Sequence, residues 1–444
     1  MNPKIIVLDD DPTGSQTVHS CLLLTRWDVA TLKTALADAA PLFFVLTNTR
    51  GMDAGRAAAV TREVCENLKT ALAGYDGPVL FVSRSDSTLR GHYPVETDVM
   101  NDVLGPFDAT LITPAFFEGG RITRESTHYL IVDGTPVPTH ETEFARDSVF
   151  GYSTAFLPDY VAEKTGGHIA AQDVARLTLA DLRGGKAGAW LASLTHNAVG
   201  VVDGETPADY RLFADAVANA AAQGKRLLFR SAASLLTALA KLPPQPVAAE
   251  AFASLVRDGR PGAVVVGSHV AKTTAQLTLL LKERGVVGLP LDVARLPAGR
   301  AAVVDELTAS IAHAHAQGLT PVVYTSRSER TFASAAERLA FGETVSGTLM
   351  DVVGRLPETL GFLISKGGIT SNDVLSTGLA LTASRVLGQI LPGVTVVQTP
   401  PGHRLPQIPV VIFPGNVGGD DALAEAYRRL APSHAQARPV TLAA

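Results

Sequence analysis

The stretch Ile5–Gly14 reads IIVLDDDPTG, and its two halves call for different environments. Ile5 to Leu8 form a continuous apolar run of the kind buried in a parallel sheet, whereas Asp9, Asp10, Asp11, Pro12, Thr13 and Gly14 make an abrupt polar turn. Such a strand delivers acids to a sheet edge. In open α/β sheets ligands bind outside the carboxyl ends of the strands, so the three carboxylates are expected where chemistry is done. Adjacent acids repel, and cations, hydrogen-bond donors or protonation must relieve them. A solvated turn at a strand end is the plainer alternative.

Outward from this stretch, apolar runs alternate with helical periodicity. Lys4–Asp10, Leu42–Asn48, Val79–Arg84 and Thr110–Thr113 read as strands. Between them Ala57, Val60, Val64, Leu68 and Leu72 recur at helical spacing, with Asp53 as cap and Gly74 as stop. This βαβ rhythm predicts an α/β fold with a mostly parallel sheet flanked by helices. The run HYLIVDGTPV, His128 to Val137, reads as a hairpin about Asp133-Gly134. Further strands are expected at His168–Ala170, Val199–Val202 and Arg226–Phe229, with a helix opened by Thr206-Pro207 and closed by Gly224. Leu242 to Glu250, LPPQPVAAE, has the composition of a linker. Beyond it strands are expected at Ala263–Gly267, Pro321–Tyr324, Gly361–Ser365, Val394–Gln398 and Pro409–Phe413. Helices are expected at Thr274–Arg284, Arg300–Gln317, Thr331–Ala340, Asn372–Leu387 and Asp421–Leu430. The expected organisation is two α/β domains, residues 1–241 and 251–430, joined by a linker at 242–250 and followed by a tail at 431–444.

Composition bounds the function. A chain of 444 residues exceeds what one core usually serves, which agrees with two domains. A hydrophobic content of 46% with 18% charged residues describes a globular protein, and a net charge of −5 provides no basic face for nucleic acid. Any anionic substrate must be held by a few local cations and backbone amides. Cys21 and Cys65 are too few for a disulfide framework, which fits a cytoplasmic setting. No apolar run approaches the roughly 18 to 20 residues of a membrane span, and residues 1–4 lead into the first strand without a leader pattern. A homodimer is one expectation for this composition.

Three further segments carry chemistry. Ser83–Gly91, SRSDSTLRG, follows a strand and places Arg84, Asp86 and Arg90 together, with Glu96 shortly after. An arginine fork suits a carboxylate or phosphate, and an aspartate can take a proton from a hydroxyl, so a hydroxy acid would satisfy both. Thr113–Arg124, TPAFFEGGRITR, adds a glycine turn and Arg121. In the second half Ser365–Thr370, SKGGIT, Val266–His269, VGSH, and Pro414–Gly419, PGNVGG, are small-residue turns after strands. Their backbone N–H groups could cradle phosphates, and three such turns at neighbouring strand ends would form a nucleotide floor. GSHVAKTT, Gly267 to Thr274, is not a Walker motif: the spacing to Lys272 is one residue short and the adjoining glycine is missing. The histidines have no metal-ligand spacing.

Two families compete for the first acids. Val7–Thr13 fits the D-x-D-x-T pattern of haloacid dehalogenase-type phosphatases, with Asp9 as nucleophile, Asp11 as acid/base and Asp420-Asp421 as magnesium acids. That pattern leaves Ser83–Gly91 and the glycine turns without a role, and its magnesium acids should close a strand. The combination of Asp10, Asp11, Thr13 and Gly14, DSTLRG at Asp86–Gly91, PAF-x-x-GGR at Pro114–Arg121, the hairpin, SKGGIT and PGN-x-G resembles the four-carbon acid sugar kinase family over about residues 4 to 430. The resemblance implies an amino-terminal domain holding threonate, erythronate or a 3-oxo-tetronate, and a carboxy-terminal domain binding ATP. Transfer to the terminal hydroxyl would take place across an interdomain cleft. Nucleotide contacts would fall on Ser268, Gly367, Gly368, Ile369, Thr370 and Gly415. The acid-sugar side would fall on Asp10, Asp11, Asp86 and Arg90, with Arg84 or Arg121 sharing the carboxylate. Asp86 or Asp11 would act as base, and Asp10 would hold Mg2+ directly or through water. The turn departs from the family in Lys366 and Ile369, where an acidic or polar residue is often seen. A protein that binds sugar acid and nucleotide without catalysis is a further alternative.

Overall fold

All six residues of strand β1 (Lys4–Asp9) are buried, which makes it a central strand. The computed structural model describes residues 3–268, 270–326, 332, 334–415 and 417–431, and the chain divides into two compact units, residues 1–244 and 245–444. The expected tail therefore lies outside the described residues beyond Ala431.

In the amino-terminal unit the remaining strands are β2 (Leu22–Leu24), β3 (Leu42–Leu46), β4 (Val79–Arg84), β5 (Ala109–Thr113), β6 (Arg121–Arg124), β7 (Thr127–Val132), β8 (Thr135–Pro138), β9 (Ala175–Leu177), β10 (Ala198–Val202) and β11 (Leu227–Ser231). The main sheet runs β2-β3-β1-β4-β11-β5-β10-β9 with every pairing parallel. All carboxyl ends therefore lie along one edge, and β11 is inserted between β4 and β5. The helix Ala54–Ala71 buries Ala57, Val60, Val64 and Leu68, and the Asp53 side chain accepts from the Arg56 N–H at its start. β6, β7 and β8 form a separate antiparallel sheet. Its expected turn at Asp133-Gly134 has positive φ at both residues, 48° and 80°, as a tight hairpin requires.

The carboxy-terminal unit contains β12 (Ala263–Val266), β13 (Val286–Leu291), β14 (Thr320–Thr325), β15 (Leu363–Lys366), β16 (Ala383–Leu391), β17 (Val394–Gln398) and β18 (Pro409–Phe413). β13-β14-β12-β15-β18 pair in parallel, and β17 and β16 continue antiparallel. Leu277 and Leu280 of the helix Ala271–Leu280 pack with Leu423 and Tyr427 of the helix Ala422–Leu430 against Val264, Ile364 and Val411.

Two sequence expectations are corrected. The helix expected over 372–387 is a short helix, Gly368–Asp373, running into a π-type turn, Val374–Gly378, and residues 383–391 form strand β16. Val386 and Ile390, four apart, suit one helix face, but the segment alternates in burial residue by residue and pairs with β17. The strand expected at His168–Ala170 lies instead at β9, Ala175–Leu177, where three residues with an exposed Arg176 leave little periodic signal.

Candidate functional site

The adjacent ends of β3, β1, β4 and β11 bring the expected acids together around an arginine that motif reading did not single out. Arg50, in the 3-10 turn Thr49–Gly51 after β3, donates from Nη2 and Nε to the two oxygens of Asp10 at 2.5 and 3.2 Å. Its Nη1 donates to Asp11 Oδ2 at 3.1 Å and lies 3.8 Å from Asp86 Oδ1. One guanidinium thus ties Asp10, Asp11 and Asp86 into a network, which relieves the repulsion inherent in the sequence. Ser85 Oγ adds a 2.6 Å bond to Asp10 Oδ2, and Arg84 Nη1 approaches Asp9 at 3.5 Å and Asp10 at 3.9 Å. Burial alone would raise the Asp11 pKa, but Arg50, Arg84 and two bonds from Thr13 outweigh it and hold the carboxyl low. Asp86 is likewise held well below the carboxylate range, with Arg50, Arg90 and Thr88 overcoming its desolvation.

Asp9 behaves in the opposite way. It has no exposed surface, its Oδ2 has no hydrogen-bond partner, and a Cβ at Gly14 would lie 2.0 Å from that oxygen. Burial, aided by Asp10 and Asp11 against Arg84, pushes its pKa up to about 8. A carboxyl walled in this way cannot serve as the nucleophile of a phosphatase. Asp420 and Asp421, the magnesium acids of that reading, are exposed beside the helix Ala422–Leu430, and Asp421 pairs with Arg428 at 2.6 Å.

Behind the acids lies a buried ion pair. Arg230, inside β11, donates from Nη1 to Glu96 Oε2 at 2.6 Å and to Ser83 Oγ at 2.7 Å, and from Nη2 to Ser85 Oγ at 2.7 Å. Arg230 therefore orients the serine that holds Asp10. A charged residue directly after the apolar run LLF was the signal available for it. Arg50 had less: it stands four residues beyond a strand end, and its partners lie about 40 residues away in sequence.

The loop after β4 is shaped by its own side chains. Arg90 Nε donates to Asp86 Oδ2 at 2.8 Å, its Nη1 lies 3.7 Å from Asp147, and its guanidinium covers the Phe144 ring at 4.9 Å. His128 of β7 is fully buried, and burial lowers its pKa to about 4. As a neutral ring it donates from Nε2 to the Ser87 carbonyl at 2.7 Å and accepts at Nδ1 from Thr123 Oγ1 at 2.9 Å, which ties the small sheet to the loop. Arg121 is the exception among these cations. It donates to the Gly119 carbonyl and lies over Phe116, its buried Nε has no partner, and no carboxylate among the described residues pairs with it. Desolvation lowers its pKa, with Asp86 and Glu143 close enough to oppose the shift and Arg90 to add to it.

In the carboxy-terminal unit β12, β15 and β18 are neighbours, so the three expected glycine turns do stand side by side. Gly267, Ser268, Gly367, Gly368, Thr370 and Gly415 line one cavity of about 460 Å3. Ile369 also lines it and is 74% exposed, while Phe341, Val345 and Leu349 form an apolar wall. Small residues on one side and apolar side chains on the other suit a ligand with a phosphate end and a flat apolar end. Asn416 and His269, within the turns, lie outside the described residues.

Asp10 does not fit a direct magnesium ligand. Both its oxygens accept from Arg50 and Ser85, and the side chain is 2% exposed. Among the described residues no cluster of three His, Cys, Asp or Glu side chains is arranged to hold a metal ion. Among them, too, no helix is long and apolar enough to cross a membrane.

The fold and its two sites define a protein with one α/β unit presenting acids and arginines and another presenting glycine turns. Residues 5–239 match the family described as a sugar-binding N-terminal domain, and residues 263–423 match that described as a nucleotide-binding C-terminal domain. The chain belongs to the four-carbon acid sugar kinase family. It is 32% identical over 167 residues to a D-erythronate kinase of Heliobacterium modesticaldum, a stretch covering 36% of this chain and 36% of that protein. It is also 32% identical over 164 residues to a D-threonate kinase of Bordetella bronchiseptica, covering 35% and 38%. The aligned stretches thus span little more than a third of either relative. Among solved structures, a Haemophilus influenzae protein superposes with a TM-score of 0.65 at 18% identity, covering 96% of this chain and 100% of that one. A Salmonella typhimurium protein bearing a tRNA synthase name superposes at 0.68 and 19%, covering 96% and 98%. At those identities the likeness speaks to the fold alone.

Proposed function

We propose that this protein is an ATP-dependent kinase that phosphorylates the terminal hydroxyl of a four-carbon sugar acid of the threonate, erythronate or 3-oxo-tetronate type. The observation that carries the reading is Arg121: a half-buried guanidinium whose enclosed Nε has no partner and which no carboxylate among the described residues pairs with, although Asp86, Glu143 and Arg90 are near enough to act on its charge. A desolvated, unpaired cation is costly, and a substrate carboxylate would complete it. Arg90 already serves Asp86 and Asp147, and Arg84 serves Asp9 and Asp10, so their part is to shape the site around the sugar hydroxyls.

Asp86 is the better base of the two aspartates. Its Oδ2 is taken by Arg90 and Thr88, but its Oδ1 has only the Arg50 charge at 3.8 Å, whereas both oxygens of Asp11 are hydrogen-bonded. A strongly ionised aspartate accepts the hydroxyl proton late, as bond formation to phosphorus raises the acidity of that proton, which suits a loose phosphoryl-transfer transition state. Catalysis then rests on positioning and charge, with the nucleotide on Ser268, Gly367–Thr370 and Gly415. Mg2+ would arrive with ATP.

The test is ADP production from Mg·ATP across a panel of four-carbon sugar acids, run with the Asp86→Asn enzyme beside the wild type. ADP should appear with one or two of the acids, and Asp86→Asn should abolish turnover while still binding ADP. A near-normal kcat in that variant would remove Asp86 from the mechanism. Phosphate release from a generic ester without ATP would overturn the kinase reading.

A further inference from the structure

The side chain at the end of β15 is a lysine enclosed behind the glycine turns. Lys366 has no exposed surface, and Nζ donates to the carbonyls of Pro414 at 2.5 Å and Gly415 at 3.2 Å. It lies 4.2 Å from the centre of the Phe413 ring, and no carboxylate among the described residues pairs with it. A buried ammonium held only by carbonyls and a ring is normally an expensive arrangement. Its position explains what it could serve. Gly367 follows it directly, Gly415 accepts its second bond, and both line the cavity of the glycine turns.

The turn it grips is held from several sides. Thr273 Oγ1 donates to the Gly415 carbonyl at 3.1 Å, Lys272 Nζ to Gly418 at 3.2 Å, and Gln276 Nε2 to Val417 and Gly419 at 3.0 and 2.8 Å. In a trans peptide the C=O and N–H point opposite ways, so fixing the Pro414 carbonyl on Lys366 turns the Gly415 N–H away from the lysine. That N–H has no acceptor among the described residues. The carbonyls of Pro414, Gly415, Val417, Gly418 and Gly419 are thus bound by side chains, which leaves the Gly415 N–H for a ligand.

We propose that Lys366 is a positioning residue for nucleotide phosphates: it sets the Pro414–Gly415 turn and places behind it a buried positive charge that ligand phosphate, rather than any carboxylate of the protein, balances. The inference rests on the nucleotide-binding reading and adds a residue that reading did not include. Burial lowers the Lys366 pKa to about 7, with Lys272 on the helix Ala271–Leu280 adding to the shift. The flanking strands β12 and β18 and the turn 367–370 carry no ionisable side chain that would oppose it. A phosphate group arriving at the turn would favour the ammonium, so binding near neutral pH should draw a proton from solution.

The test compares ADP with adenosine by titration calorimetry on the full chain, using wild type, Lys366→Met and Lys366→Arg. Lys366→Met should lose about tenfold or more in ADP affinity and hold adenosine within about twofold. Lys366→Arg should recover part of the ADP affinity. Equal losses for ADP and adenosine, or none for ADP, would overturn the proposal. Should Lys366→Met fail to fold, wild type decides alone, measured near pH 7.5 in two buffers of different ionisation enthalpy. Proton uptake with ADP and not with adenosine supports the role, whereas the same uptake with both, or none with either, sinks it. A wild type that binds neither ligand would instead remove the nucleotide reading itself.

Discussion

Arg121 and Asp9 show how two buried ionisable groups in one site come to opposite ends. Arg121 stays charged with no carboxylate among the described residues bonded to it, and the substrate is read as its missing partner. Arg121→Met should therefore raise the KM for the sugar acid by about thirtyfold or more and leave the KM for ATP within about twofold, measured by steady-state ADP production. A change confined to ATP would relocate the carboxylate clamp. Asp9 escapes charge instead. Its folded-state pKa of about 8 exceeds the ordinary aspartate value of 3.8, so between these the folded protein keeps a proton that the unfolded chain has released. The contribution of Asp9 to stability must then fall as pH rises from about 4 to about 8. Asp9→Asn cannot ionise and should flatten that fall in urea melts taken at several pH values. The same slope in both proteins would mean that Asp9 is ionised throughout.

The loop after β4 illustrates how an element is held by residues that local pattern does not mark. Gly91 has φ of +123°, and a Cβ there would meet Ser85 Oγ at 2.3 Å and Arg230 Nη2 at 2.6 Å. Those two atoms belong to the chain of bonds from Glu96 through Arg230 and Ser85 to Asp10. Gly91→Ala should lower stability by about 2 kcal/mol or more and depress kcat together with it, because the strain is relieved only by moving the groups behind Asp10. An unfolding midpoint equal to that of wild type would show that the loop accommodates the methyl. DSTLRG was legible as a site segment from its residue types alone. The need for its last glycine was not, because Arg230 of β11, more than a hundred residues later in the chain, holds Ser85 where the added methyl would go.

Across the whole chain, the two ligands are assigned to different units, and each should leave a local trace. Hydrogen exchange read by mass spectrometry should show ADP protecting amides near 267–268 and 367–370, and the sugar acid protecting those near 84–91 and 119–121. Protection of 84–91 by ADP alone would reverse the assignment. The parallel sheet of each unit makes this division possible, because it collects strand-end turns along a single edge.

Much of that plan is already present in the amino-acid order. An apolar run closed by three acids determines a buried strand with a polar end, small residues after strands determine turns open to a ligand, and Asp-Gly between β-type runs determines the hairpin. These are local matters of burial and backbone geometry, and local pattern encodes them. What only the tertiary structure decided is which charges meet. Arg50 reaches Asp10 because β3 lies beside β1, Arg230 reaches Glu96 and Ser85 because β11 enters between β4 and β5, and Lys366 loses its solvent because β12 and β18 flank β15. Residues 383–391 became a strand for the same reason: spacing allowed a helix as well, and the partner strand β17 settled it. Ion pairing and burial depend on strand order, which brings together residues far apart in the chain, and no window of neighbouring residues contains that order.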